Sequence, residues 1–255
     1  IFYNIHHLII DATSRTILNK EIQEALEGKL DDVIDLGFVY SSMDSFESKF
    51  KSDYRSAYEF FNKEFVDMDN IPELLVDVSE SAGRVSLPIR NNRRSIEEYA
   101  HKNGITVGNL LNAVFAYTYS RFTGSDKVYF NFTEHGRHED YSKNALGMFV
   151  RTIPIITDCK NDSAKNYLIN FSDLVLNSMQ NSIYPYRLLA NEFNLNNNVM
   201  FEYNSDLNDV SYIKDEIIVE NYPNDFVNEF SCIINDLNDG YVIHVEHSSK
   251  YSNET

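Results

Sequence analysis

The residues best suited to chemistry lie at the start of the chain. It opens "IFYNIHHLIIDATS", with His6 and His7 adjacent and Asp11 four residues past the second histidine. An unperturbed imidazole titrates at about pH 6.5, so either histidine can accept a proton from an amine or hold that amine by a hydrogen bond. Asp11 offers a carboxylate as a helix cap or as half of an ion pair, and a buried carboxylate needs a cation from elsewhere in the chain. Zinc needs three or four convergent ligands. Neighbouring side chains on a strand point to opposite faces, so His6 and His7 do not readily chelate one ion, and no metal site is expected. Spacing alone leaves two readings of the pair: hydrogen-bonded histidines at a strand end, or one imidazole projecting into a channel while its neighbours fix the turn that aims it.

The elements that must position these residues follow from periodicity. The apolar run Ile1–Ile10 reads as a buried strand, and "SRTILNKEIQEALEGK" as a helix with Ser14 as its N-cap and Gly28 as its stop. Aromatic residues recur at Phe46, Phe50, Tyr54, Tyr58, Phe61 and Phe65, which predicts an amphipathic helix. The pattern breaks near Pro72, and the stretch to Pro88 reads as a crossing between two lobes. Ser95 and Glu98 have the spacing of a capping box, with Gly104 as the stop. "TVGNLLNAVFAYTYSRFTG" is the most apolar helix, ending at Gly124 and expected to lie on a sheet. "KVYFNFT", "ALGMFVRTIPIIT" and "NNVMFEYNS" read as strands, "SAKNYLINFSDLVLNSMQNS" as a helix, and "EFSCIIND-LNDG-YVIHVEHS" as a hairpin. The result is an α/β chain in two parts.

Composition narrows the function. The chain has 255 residues, 43% hydrophobic and 24% charged, which suits one large globular unit or two lobes and not a disordered chain. A net charge of −17 argues against binding nucleic-acid phosphates or an anionic membrane surface. No apolar run approaches the roughly 18 residues of a membrane span. Cys159 and Cys232 make neither a zinc spacing nor a disulfide framework, so a reducing cytoplasm is the default location.

"HHLIIDATS" resembles the HHxxxDG signature of nonribosomal peptide synthetase condensation domains, in the chloramphenicol-acetyltransferase-like superfamily. Further stretches follow in the family's order: the helix, strand and Gly-Arg segment ending "TEHGRHED", then "ALGMFVRTIPI", which resembles the family's "GMFVNTLPL", then "YPYRLLANEF" and "NVMFEYNS". The resemblance spans nearly the whole chain, and the ordered combination is far more specific than any single motif. It implies a two-lobed sandwich whose first lobe is incomplete here, with residues 1–72 as the remainder of the N-terminal lobe and 73–255 as the C-terminal lobe. It implies a channel between the lobes. Upstream and downstream peptidyl carrier proteins would present phosphopantetheine-tethered substrates there, with an adenylation domain in the same synthetase and no directly bound cofactor. His7 would be the catalytic or amine-positioning group, His6 mainly structural, and Asp11 the partner of Arg137. Gly147, Arg151 and Asn204 are candidates for lining the channel. Without that context, Arg137 reads as a solvated arginine in a strand-end loop.

The departures from the family pattern shape the alternatives. Ala12 stands where the family has Gly, so the turn is expected to differ slightly, because Ala lacks Gly's freedom at positive φ. Arg151 replaces the family's Asn. Compared with a complete domain, the chain lacks the portion before the histidine motif and the final helix, so the isolated piece is expected to be inactive. Glu134 in "TEHGR" sits one residue nearer the Arg than in the Glu-Gly-His-Gly-Arg motif of epimerization domains. Epimerization at an α-carbon and a degenerate docking scaffold are therefore the two other functions to separate from condensation.

Overall fold

The structure is a computed structural model. It describes residues 2–29, 36–48, 52–66, 80–90, 92–160, 163–196, 198–205, 217–222, 224, 226, 228–237 and 240–251. In chain order the elements are helices α1 (Ala12–Leu26), α2 (Gly37–Ser48) and α3 (Ser52–Glu64), strand β1 (Ala82–Arg90), helices α4 (Arg93–Lys102) and α5 (Val107–Thr123), and strands β2 (Lys127–Glu134) and β3 (Arg151–Asp158). Helices α6 (Ala164–Gln180) and α7 (Tyr186–Phe193) follow, then strands β4 (Val199–Asn204), β5 (Ile218–Tyr222), β6 (Phe230–Leu237) and β7 (Gly240–His247). The strands form one seven-stranded sheet in the order β3-β2-β4-β6-β7-β1-β5. β4 runs parallel to β2 and β6, and the other pairings are antiparallel.

Strand side chains alternate between the two faces of the sheet, one of them apolar throughout and the other polar on β1, β6 and β7. Phe130, Phe201, Cys232, Ile234 and Tyr241 are buried in the main core together with α5 and α6. α5 comes close to the sheet because Ala113 and Ala116, both fully buried, face it. Its end matches the sequence reading, with Gly124 closing it at φ +68°, and Thr106 caps its start. By register, Arg84, Ser86, Glu202, Ser231, His244 and Glu246 share the opposite face. Both thiols are buried, and burial pushes the Cys232 thiol up to about 12. Among the described residues, no helix is long and apolar enough to cross a membrane.

A second cluster joins the first part of the chain to the sheet. Phe61 and Phe65 of the α3 segment are buried against Tyr129, Ile156, Leu189 and Leu195. Phe65 meets Tyr129 edge-on at 6.3 Å, a favoured aromatic geometry. The N-terminal segment thus contributes side chains to a core built on the C-terminal sheet.

Several local expectations are corrected. Residues 2–10 are not a buried strand: they are irregular, with Phe2 92% and Leu8 77% exposed. An apolar run becomes a strand by pairing its backbone, and no described strand pairs with this one. The cap of α1 is Asp11, whose carboxylate accepts from Ser14 N at 2.7 Å, while Ser14 lies inside the helix. The Ser95–Glu98 capping box does not form. α4 begins earlier, at Arg93, and Glu98 accepts from Arg94 Nε at 2.7 Å, one of two i,i+4 pairs that favour the extra turn. The aromatic segment expected as one helix is two, α2 and α3; Phe50 and the crossing around Pro72 lie outside the described residues. Pro88 is inside β1 rather than in a crossing. Among the described residues β5 pairs with β1 only from Ala82 to Ser86, so Pro88 lies beyond that pairing, where a missing N–H is tolerated. β3 begins at Arg151, so "ALGMFV" is loop, and that loop builds the site.

Candidate active site

Asp11 and Arg137 form the centre of the site. They are 126 residues apart, yet Arg137 Nη2 lies 2.9 Å from Asp11 Oδ1 and 3.2 Å from Oδ2. Both side chains are buried, at 1% and 5% exposure for the carboxylate and the guanidinium respectively. Taking such charges from water is costly, and only dense hydrogen bonding compensates it. Arg137 Nη2 also donates to Ser14 Oγ, and Nη1 donates to the carbonyls of Ser142 and Ala145. Asp11 accepts from the backbone N–H groups of Ser14 and Phe149. Burial works against ionisation of Asp11, but these N–H groups and the guanidinium outweigh it and hold the carboxyl below its ordinary range. The Phe149 ring covers the guanidinium at 4.1 Å.

Ser14 is the part of this clasp that sequence reasoning missed. Its hydroxyl donates to Gly147 O at 2.8 Å and accepts from Gly147 N at 3.0 Å. Asp11 N donates to Gly147 O as well. The clasp therefore ties the start of α1 to both ends of the loop that joins β2 to β3. Gly147 serves by close backbone approach: a Cβ there would come within 2.3 Å of the Phe38 ring. Ala12, the departure from the family's Gly, is the first residue of α1. Among the described residues only Asn194 is a non-glycine at positive φ, so position 12 demands no glycine in this chain.

Gly136 carries a backbone requirement that its neighbours cannot meet. Its φ is +65°, and a Cβ would lie 1.9 Å from the Phe149 carbonyl oxygen. Gly28 has a similar φ of +68° but open space around it. Gly28→Ala is expected to cost only backbone strain, about 1–3 kcal/mol. Gly136→Ala is expected to cost more, because it also pushes Phe149 off Asp11 and Arg137. Comparing urea unfolding midpoints of the two variants measures that excess; equal midpoints would mean that the loop relaxes freely.

The histidines occupy different positions. His6 folds the turn: its Nδ1 accepts from Leu8 N at 3.1 Å and its carbonyl from Ile9 N. His7 is exposed, four residues before the clasp. Its electrostatic neighbour is Glu202 on the polar face of β4. Burial, and then the Glu246 carboxylate, push the Glu202 carboxyl up, and His7 acts in the opposite direction. Nothing in the spacing of "MFEYN" singled out Glu202. Asn204 hydrogen-bonds Asn235 and lines a cavity shared with Ala12, Thr13 and Arg137. Arg151 stands apart, exposed and donating to Ser182.

Glu134, His135 and His138 bring their ligand-type atoms within 4.8 Å of one another. His138 Nε2 lies 2.8 Å from Glu134 Oε1, but His135 Nδ1 already accepts from Arg137 N at 3.0 Å. A nitrogen lone pair spent on a backbone N–H is not free for a metal, so this group is a hydrogen-bonded cluster as it stands.

Comparison with known proteins gives the family and the fold. Residues 1–231 match the family model of the condensation domain. Surfactin synthase subunit 1 of Bacillus subtilis (strain 168) is 23% identical over 204 residues, a match covering 76% of this chain and 6% of that protein. Malformin synthetase mlfA of Aspergillus niger (strain ATCC 1015) is 27% identical over 252 residues, covering 91% of this chain and 5% of the synthetase. The chain thus spans a small part of the relatives it matches. Among solved structures, SgcC5 from Streptomyces globisporus superposes with a TM-score of 0.77 at 12% identity, over 98% of this chain and 63% of its own. The first condensation domain of the calcium-dependent antibiotic synthetase gives 0.73 at 15% identity, over 98% and 59%. These likenesses establish a chloramphenicol-acetyltransferase-like fold. With its sheet, its buried Asp11–Arg137 clasp and the family match over most of its length, the chain belongs to the condensation-domain family of nonribosomal peptide synthetases.

Proposed function

We propose that this chain, within its parent synthetase, takes part in forming an amide bond between a carrier-bound acyl or peptidyl thioester and a carrier-bound aminoacyl amine. The substrates arrive on phosphopantetheine arms of the upstream and downstream carrier proteins, and the adenylation domain of the same synthetase loads the acceptor. The amine nitrogen attacks the thioester carbonyl carbon. The C–S bond breaks, the sulfur leaves as a thiol, and the amine proton passes to it by way of an imidazole. His7 is that imidazole, either taking the proton or holding the amine in line.

The observation that carries this reading is the buried clasp immediately after His7. The Asp11 carboxylate and the Arg137 guanidinium have been taken from water and hydrogen-bonded to each other, to backbone groups and to Ser14. A thioester is already activated, so orientation supplies most of the rate: up to about 7–11 kcal/mol in favourable intramolecular models. A general base contributes a further factor of about 10²–10⁴. A rigid anchor beside the imidazole suits chemistry dominated by positioning. His7 is open to an incoming substrate, as the reaction requires.

The test uses the full-length parent with both carriers loaded. Mass spectrometry of the downstream carrier is expected to find the coupled product. An inverted α-centre with no coupling would identify epimerization instead, with His7 and a carboxylate exchanging the α-proton. Carrier binding without either product would identify a docking scaffold.

A further inference from the structure

Between the start of α1 and the first turns of α5 lies a cavity of about 470 Å³, within the usual range for small-molecule sites of about 300–1,000 Å³. Among the described residues, two of its lining side chains are buried with an oxygen unpaired, and a third, Arg137, is buried with its Nε unpaired. Asn112 on α5 is 3% exposed, and its amide oxygen has no hydrogen-bond partner. Glu134 at the end of β2 is also 3% exposed. Its Oε1 accepts from Gly136 N at 2.9 Å and faces His138 Nε2 at 2.8 Å, which fixes the carboxylate, while Oε2 has no partner. Buried polar atoms are nearly always satisfied in folded proteins, so two orphan oxygens on one cavity wall ask for a ligand.

The chemistry of that ligand follows from the atoms. Both orphan oxygens are acceptors, so the ligand must bring hydrogen-bond donors to them, while the Arg137 Nε–H is left to a neutral acceptor or water. One acceptor belongs to a carboxylate, so a cation is favoured over a neutral donor. The other charges on the cavity wall are already committed. The Arg137 charge is paired with Asp11 and its two Nη groups are used on Asp11, Ser14 and two carbonyls, which leaves only its Nε–H unpartnered among the described residues, and Lys143 pairs with Asp140 at 2.6 Å. His135 accepts from Arg137 N. A primary ammonium, with three donors and one compact charge, matches the two open oxygens.

We propose that this cavity is a recognition pocket for a protonated primary amine, carried on the side chain of the substrate. That the amine belongs to an acceptor residue rests on the reaction proposed above; the pocket's preference for an ammonium does not. The pocket would then select lysine- or ornithine-like residues over apolar ones of similar length.

The test compares lysinamide with norleucinamide, which share a linear side chain and differ in its terminal ammonium. Isothermal titration of the full chain at pH 8, above the ordinary imidazole range, is expected to give lysinamide at least about tenfold tighter binding, a factor that a charge-assisted hydrogen bond can supply. Glu134→Gln keeps the size and the acceptor facing Gly136 N and is expected to abolish the preference with an unchanged unfolding midpoint. Equal affinities in the unmodified chain overturn the proposal without recourse to any variant. A preference that survives Glu134→Gln overturns it too. Lysinamide selectivity in a parent that makes no coupled product would uphold the pocket while removing the proposed reaction, so the two fail separately.

Discussion

Arg137→Ala is expected to lower the unfolding free energy by about 3–5 kcal/mol, the usual cost of removing one partner from a buried ion pair. Typical domains are stable by only about 5–15 kcal/mol, so this is a large share of the total. The loss has three sources. Asp11 keeps its backbone donors but loses its counter-charge. The carbonyls of Ser142 and Ala145 lose their donor. The Phe149 ring loses the plane it covers. Arg137→Lys is expected to recover little, since one ammonium cannot serve Asp11, Ser14 and two carbonyls in a fixed fork. Asp11→Asn alone is also expected to destabilise, because the amide oxygen can still accept from Ser14 N but the NH2 group then faces the Phe149 N–H. A urea double-mutant cycle on the two positions gives their coupling, expected near the upper end of the range for contacting residues, about 0.5–3 kcal/mol.

The same pair has a pH signature. The Asp11 carboxyl is lower in the folded protein than in the unfolded chain, where it titrates at about 3.9. Its contribution to stability is therefore complete above that unfolded value and is lost as the pH falls through the folded value. Asp11→Asn is expected to flatten the acid limb of stability below about pH 4 and leave its shape near neutrality unchanged.

How much of this was legible in the sequence depends on distance along the chain. α5 was readable because its apolar period and its Gly124 stop lie within twenty residues of one another, and local signals agreed. The β6–β7 hairpin was readable for the same reason. β1 was not, because Pro88 and the polar alternation of Arg84 and Ser86 hide a strand whose partners, β5 and β7, lie more than 120 residues away. The clasp has no local signal at all. Asp11 and Arg137 read separately as a cap and a solvated side chain, and only the family resemblance linked them. Ser14 shows the limit most clearly. It read as a helix cap by type and position, but its hydroxyl is used to bind Gly147 and Arg137, and Asp11 takes the cap. The error at residues 2–10 is of another kind: apolar composition set the expectation of a strand, but pairing decides whether a strand forms.

The second large effect concerns His7. His7→Ala in the parent synthetase removes the imidazole and leaves the clasp intact, since His7 makes no contact with Asp11, Ser14 or Arg137 among the described hydrogen bonds. The unfolding midpoint is expected to stay within the scatter of ordinary surface substitutions, about 0.5 kcal/mol. The coupling rate is expected to fall by about 10²–10⁴, the range for a general base. Arg137→Lys is expected to slow coupling through position alone, so it would change rate and stability together, whereas His7→Ala changes rate alone.

The most direct measurement is single-turnover coupling on the downstream carrier, with both carriers preloaded so that neither adenylation nor loading limits the rate. Proteins with His7 and with His7→Ala are compared at equal concentration, after matched unfolding curves have shown both to be folded. A drop of at least about a hundredfold is predicted. An unchanged rate in the folded variant would contradict the account and leave the clasp as a purely structural device.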